Sequence, residues 1–270
     1  DYLPYPFFLG SAATYLARET DARVSFRDSL ALREGYPAYL AYLREQRFDY
    51  IILESASPSW AHDAMVIRRI KQQNPGTKIV VTGPIASLGE KLLEEHPIEA
   101  VLQGEYEKGC VKVIEGARGL LPYDLLTEDE LNAAPYPYLD EAHAHRYWDA
   151  NPRGQRPPQL QVLSSRGCPF KCIFCVWPAV MTNNDPDGQG TRVVRQYTAE
   201  HMEGLLTEMV GRYGYKSIYF DDDTFNLGDR HVRDMCGVMA RLGLPWSAMC
   251  RADTISRDTW KLMRESGWFG

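Results

Sequence analysis

The sequence predicts an α/β protein with two successive series of strand–helix units, the first a doubly wound parallel sheet. Three observations predict it. The near-continuous apolar runs DYIILES, KIVVTG and EAVLQG read as strands buried on both faces, as in parallel sheets. Segments between them repeat apolar residues at the three- and four-residue spacing of amphipathic helices. After a stretch rich in proline and aromatics, the alternation resumes at QLQVLSS, KSIYFDDD and LPWSAMCRAD. The expected division is residues 1–118, an α/β domain; 119–158, an interdomain segment; and 159–270, a second βα series.

The first half opens with a helix over about Phe7–Glu19, which places Phe8, Ala12, Tyr15 and Leu16 on one face. A short strand is expected around Ala22–Phe26. A helix around Pro37–Gln46 groups Tyr39, Leu40 and Leu43. After the strand DYIILES, Ser59 is placed to cap a helix that stops at Asn74-Pro75-Gly76. KIVVTG leads to a short helix carrying Leu88, Leu92 and Leu93. EAVLQG leads to a helix from near Glu105 to before Gly116. A helix-first start is unusual for a wound sheet, so an N-terminal strand is expected outside this chain.

In residues 119–158, Pro122, Pro135, Pro137, Pro152, Pro157 and Pro158 punctuate the segment, while Tyr123, Tyr136, Tyr138, Tyr147 and Trp148 argue against a loose linker. His143 and His145 have no third ligand near them in sequence and are expected at the surface. From Gln159 the strand QLQVLSS feeds a cysteine cluster. Thr198 caps a helix with Met202, Leu205, Leu206, Met209 and Val210 on one face, closed by Gly214. KSIYFDDD precedes a helix over about Asp229–Leu242. LPWSAMCRAD precedes a last helix over about Asp258–Ser266. The chain ends at Gly267-Trp268-Phe269-Gly270, where a fourth strand is expected, so both ends read as truncated.

Composition narrows the function. The 270 residues are 44% hydrophobic and 24% charged, an ordinary globular balance that excludes wholesale disorder. A net charge of −6 argues against a general nucleic-acid-binding surface. No apolar run is long enough to span a membrane, and the opening DYLPYPFFLG does not read as a signal peptide. Of six cysteines, Cys110, Cys236 and Cys250 are scattered, while Cys168, Cys172 and Cys175 fall together. That pattern reads as a reduced, intracellular protein with one metal site rather than a disulfide scaffold.

The cluster segment is SSRGCPFKCIFC, with spacing C-x3-C-x2-C. Thiolates select zinc or iron–sulfur centres. Structural zinc wants four protein ligands, often as two separated pairs, and no further Cys or His follows before His201. Three thiolates on one loop suit a cubane cluster with one iron open to a ligand. A zinc site borrowing a distant His is the other reading of the same residues.

With Phe174 just before the last cysteine, Cys168, Cys172, Phe174 and Cys175 match C-x3-C-x2-aromatic-C, and the sequence resembles the radical S-adenosylmethionine enzymes. The resemblance implies a 4Fe–4S cluster on Cys168, Cys172 and Cys175, with S-adenosylmethionine on the open iron. It places Phe174 near the adenine, Asp222 and Asp223 of YFDDDTFN at the methionyl amino group, and Arg251 of CRAD at a polar contact. The acidic run also suits a strand end leading into a helix, and Arg251 also suits an ordinary salt bridge.

The N-terminal half lacks G-x-G-x-x-G and G-x4-G-K-[ST], which disfavours an NAD-type site and a P-loop. Its segments SASPSW, TGPIAS and GEYEKG sit where strand ends meet helix starts. There the chain resembles the cobalamin-binding domain that precedes the radical domain in one subgroup of these enzymes. The resemblance implies a flavodoxin- or Rossmann-like cobalamin domain followed by the first βα units of a partial (β/α) barrel. It assigns Ser55, Ser57, Gly83, Gly104, Glu105 and Glu107 to the cobalamin. TGP and GEY are also simple turns. The D-x-H-x-x-G signature is absent, so no His of this chain is expected on cobalt.

The expected function is a cobalamin-dependent radical C-methyltransferase in the cytoplasm. It would act on a small-molecule or natural-product substrate, with an electron donor such as a flavodoxin or ferredoxin. The alternatives are a radical cyclase or oxidoreductase on the same domain pair, and a zinc-stabilised binding module.

Overall fold

The computed structural model describes residues 3–148, 156–175, 180–181 and 193–270. By their contacts these divide into two units. One comprises Phe8–Leu126 and Pro169–Val193; the other comprises Asp1–Phe7, Thr127–Cys168 and Val194–Gly270.

The first unit holds a four-stranded parallel sheet: β1 (Tyr50–Glu54), β2 (Lys78–Thr82), β3 (Ala100–Leu102) and β4 (Gly119–Leu121), in that order. Its helices are α1 (Phe7–Glu19), α2 (Tyr36–Gln46), α3 (Trp60–Gln73), α4 (Glu90–Glu95) and α5 (Glu107–Ile114). The period-two alternation of strands decides the layers. Ile79, Val81 and Val101 pack with α2, α3 and α4. Val80, Ala100 and Leu102 pack on the opposite face with α1 and α5. Helices therefore cover both faces, as expected of a wound sheet.

The strand order nevertheless does not reverse among the described strands. The sheet advances one way throughout, yet α3 and α4 lie on one face and α5 on the other. The β3–α5–β4 crossover thus has the opposite hand to the two before it, an exception to the usual single hand of parallel crossovers.

Several local expectations are corrected. No strand is described at Ala22–Phe26. Gly119–Leu121, read as interdomain segment, is instead the fourth strand, pairing Ala100 with Gly119 and Leu102 with Leu121. The short helix after β2 is broken at Gly89 into a 3-10 turn, Pro84–Leu88, and α4. Ser59 stands at the start of α3 without capping it; its hydroxyl donates to the Ala56 carbonyl at 3.1 Å.

The second unit holds a three-stranded parallel sheet ordered β5 (Gln159–Val162), β8 (Ser217–Phe220), β9 (Trp246–Ala248). A two-stranded antiparallel ribbon joins β6 (Ser165–Arg166) to β7 (Arg195–Gln196). The helices are α6 (Glu128–Ala133), α7 (Ala199–Tyr213), α8 (Asp229–Leu242) and α9 (Arg257–Glu265). Leu160, Val162, Ile218, Phe220, Trp246 and Ala248 face one core together with Met202, Leu206, Met235 and Met263 of the helices. The opposite sheet face carries Gln161, Tyr219 and Ser247 in register, all buried.

Thr198 caps α7 by accepting from the His201 amide at 3.2 Å, and Gly214 closes it at φ +69°. Gly267–Gly270 runs beside β9, with the Phe269 amide donating to the Trp246 carbonyl at 2.9 Å. His143, expected at the surface, is buried, with Nδ1 2.7 Å from Asp140 Oδ1. His145 is exposed, as expected.

Candidate functional site

Parallel strands send their carboxyl ends to one edge of a sheet, where α/β proteins gather ligands. In the second unit that edge carries Ser164 and Ser165 after β5, Asp221–Asn226 after β8, and Cys250 and Arg251 after β9. Three of the site residues expected from sequence lie there: Asp222, Asp223 and Arg251.

Asp222 is buried and its carboxylate is hydrogen-bonded to the chain. It accepts the Ser164 amide at 3.0 and 3.1 Å on its two oxygens, the Ser164 hydroxyl at 3.0 Å and the Ser165 hydroxyl at 2.5 Å. Burial pushes its carboxyl up to about 6, against the lowering pull of these hydrogen bonds. Ser164 Oγ lies 3.0 Å from Nε2 of His231, on the first turn of α8. Burial holds that imidazole down at about 4. The Ser164 hydroxyl has one proton and gives it to Asp222, so the neutral His231 ring donates its Nε2–H to Ser164.

Asp223 is exposed. Arg251 forks onto Asp253 at 3.1 and 3.0 Å. Its main chain is pinned by Asn226, which donates to the Arg251 carbonyl at 2.6 Å and accepts its amide at 2.9 Å. Cys250 is raised to about 12, chiefly by burial and further by the Asp222 charge.

The cysteine loop leaves β6 through Gly167, whose φ of +92° is a conformation that L side chains rarely adopt. Cys168 is buried, with Sγ 3.6 Å from Thr224 Oγ1. Cys172 and Cys175 are half-buried and close a turn, the Cys175 amide donating to the Cys172 carbonyl at 3.0 Å. Phe174 is exposed. All three thiols are free, so the donor set suits a soft metal centre by its chemistry. Among the described residues, no three His, Cys, Asp or Glu side chains are drawn together as a metal-holding group.

In the first unit, three of the residues expected at a cobalamin, Ser55, Gly83 and Gly104, lie close against the chain itself. The Ser55 hydroxyl donates to Asp63 Oδ2 at 2.6 Å. A Cβ on Gly83 would lie 2.8 Å from Glu54 Cγ and from the Ser55 carbonyl oxygen. A Cβ on Gly104 would lie 2.4 Å from the Met181 carbonyl oxygen and from the Tyr123 ring. The close approach that these glycines permit is thus to protein. Glu105 and Glu107 are buried, and Ser57 is exposed.

Sequence reasoning missed Ser164, Ser165 and His231, whose role depends on which strands are neighbours. It also missed the pair at the end of β1, where the hydroxyl of the buried Tyr106 donates to the half-buried Glu54 at 2.7 Å and desolvation raises the Glu54 carboxyl.

No protein-family model matches the chain. The chain is 28% identical over 232 residues to an uncharacterized methyltransferase of Pyrococcus horikoshii, covering 79% of this chain and 48% of that protein. It is 26% identical over 146 residues to the bacteriochlorophyllide d C-12(1)-methyltransferase of Chlorobaculum tepidum, covering 52% of this chain and 26% of that protein. It therefore spans about half the length of the first relative and about a quarter of the second. Among solved structures, the N-terminal domain of a hypothetical protein from Thermotoga maritima aligns with 40% of this chain and 82% of its own, at 14% identity and a TM-score of 0.30, too distant to fix a shared fold. Both of these sequence relatives are named methyltransferases.

Proposed function

We propose that the chain belongs to an S-adenosylmethionine-dependent methyltransferase of the radical type. In this reading Cys168, Cys172 and Cys175 hold a 4Fe–4S cluster. The observation that carries it is the run of three free thiols at C-x3-C-x2-C, which leaves the antiparallel strand β6 just after the parallel strand β5, where a buried carboxylate fastens the connection. The names of the two relatives support methyl transfer over cyclisation or oxidation.

When bound, the cluster supplies the electron that cleaves S-adenosylmethionine to methionine and a 5′-deoxyadenosyl radical. The chain's own residues orient the parts. The exposed Asp223 carboxylate suits the methionyl ammonium group, since ionised pairs make the stronger hydrogen bonds. The exposed Phe174 ring suits the face of the adenine. Asn226 fixes the backbone at Arg251 and so the end of β9. No step is assigned to cobalamin.

The electron donor would be a small flavodoxin or ferredoxin. The substrate would be a small molecule or natural product, and the site of action a reducing cytoplasm. The relatives' names equally fit ordinary methyl transfer, which needs no iron. Anaerobic reconstitution with iron and sulfide separates the two. The radical reading predicts bound iron and sulfide, and 5′-deoxyadenosine formed under reduction. S-adenosylhomocysteine formed by the iron-free chain, with no 5′-deoxyadenosine, would replace it with the ordinary reaction. Bound zinc with neither product would point to a binding module.

A further inference from the structure

We infer that Asp222 is a positioning residue for the cysteine loop, acting through Ser164 and Ser165; the inference rests on the function proposed above. Its carboxylate faces the amide and hydroxyl of Ser164 and the hydroxyl of Ser165, in the short link from β5 into β6. Three donors converge on Oδ1 and the Ser164 amide is shared with Oδ2, in a residue only 2% exposed, so the carboxylate faces the chain rather than solvent.

The segment it holds continues into the cluster motif. Ser165 and Arg166 pair with Gln196 and Arg195, Gly167 turns the chain, and Cys168 then meets Thr224 at 3.6 Å. Thr224 lies two residues beyond Asp222. Residues 164–168 and 222–224 are thus tied at two points, by the Asp222 carboxylate and by the Cys168–Thr224 contact. His231 backs the first tie through the Ser164 hydroxyl.

A carboxylate accepts at both oxygens. The Ser164 amide reaches both of them, so an asparagine would turn an N–H towards that amide in either orientation. Asp222→Asn therefore loosens the tie while preserving volume. Ser165→Ala removes the 2.5 Å bond without touching the carboxylate.

The first test uses the full chain purified without added iron. Labelling by iodoacetamide is read cysteine by cysteine by peptide mass spectrometry. Both variants are expected to raise Cys168 labelling several-fold and to leave Cys236, buried in the core of the same unit, unchanged. Unchanged Cys168 protection in both variants would overturn the inference. So would an equal rise at Cys236 in both, which would make Asp222 a general packing residue.

The second test uses reconstituted protein. Both variants are expected to lower kcat for S-adenosylmethionine cleavage by tenfold or more with KM unchanged. A raised KM in Asp222→Asn beside a normal Ser165→Ala would instead make Asp222 a direct contact. If the wild-type chain holds no iron and sulfide, the proposed function fails, and the labelling test still decides the role of Asp222.

Discussion

The carboxylate of Asp222 and the hydroxyl of Ser165 meet at 2.5 Å, joining the carboxyl ends of two neighbouring parallel strands. A buried acceptor that satisfies several donors is costly to remove, because each donor is left unpaired away from water. Asp222→Ala is expected to destabilise the second unit by roughly 3 kcal/mol. Chemical denaturation checks this. A loss below about 1 kcal/mol would show that water replaces the carboxylate.

The same network sets a pH dependence with two opposing parts. The Asp222 carboxyl is raised to about 6, so the folded state holds that proton more tightly. Its contribution is full below the ordinary carboxyl value and is lost as pH rises through 6. His231 is lowered to about 4, chiefly by burial, with the charges of Asp234 and Glu128 pulling the other way. Its contribution is full above the ordinary imidazole value and is lost as pH falls towards 4. The wild-type chain should therefore show little net change between these limits from this pair. Asp222→Asn should lose stability on acidification, and His231→Gln should gain it. Melting temperatures across pH 4 to 7 check the two signs.

Gly104 is a tightly confined turn of the first unit. Its φ is +73°, and an added methyl would press on the Met181 carbonyl and the Tyr123 ring. Gly104→Ala is expected to cost about 3 kcal/mol or more, from strain and overpacking together. A near-neutral alanine would mean that this corner is open, as contact with a ligand rather than with protein would require.

The helix α6 begins with a capping box. The Thr127 hydroxyl accepts the Glu130 amide at 3.2 Å, and the Glu130 carboxylate accepts the Thr127 amide at 2.7 Å. Thr127→Ala is expected to cost about 1 kcal/mol. Hydrogen exchange at the first turn of α6 would report the fraying directly.

Much of this architecture was legible from residues 50–54, 78–82 and 100–102, because apolar runs of strand length bounded by glycine and polar turns have few other readings. Residues 119–121 were not, since GLL is too short to show a period. Helix α6 left a signal that the reading passed over, Thr127 followed by Glu130 at capping-box spacing. At the candidate site, the thiols were legible because C-x3-C-x2-C is rare by chance. The partners of Asp222 were not, because a carboxylate at a strand end reads alike whether it faces solvent or a neighbouring strand. Gly83 and Gly104 were read as sites where the backbone meets a corrin, and the sequence carries no sign that Ser55, Met181 and Tyr123 lie against them.

The most direct measurement of the central claim is anaerobic iron and sulfide analysis of the reconstituted chain, paired with an assay for 5′-deoxyadenosine under reduction. The account predicts iron and sulfide bound together, 5′-deoxyadenosine formed from S-adenosylmethionine, and both lost in Cys172→Ala. Cleavage retained in Cys172→Ala, or a wild-type chain that binds no iron, would contradict it.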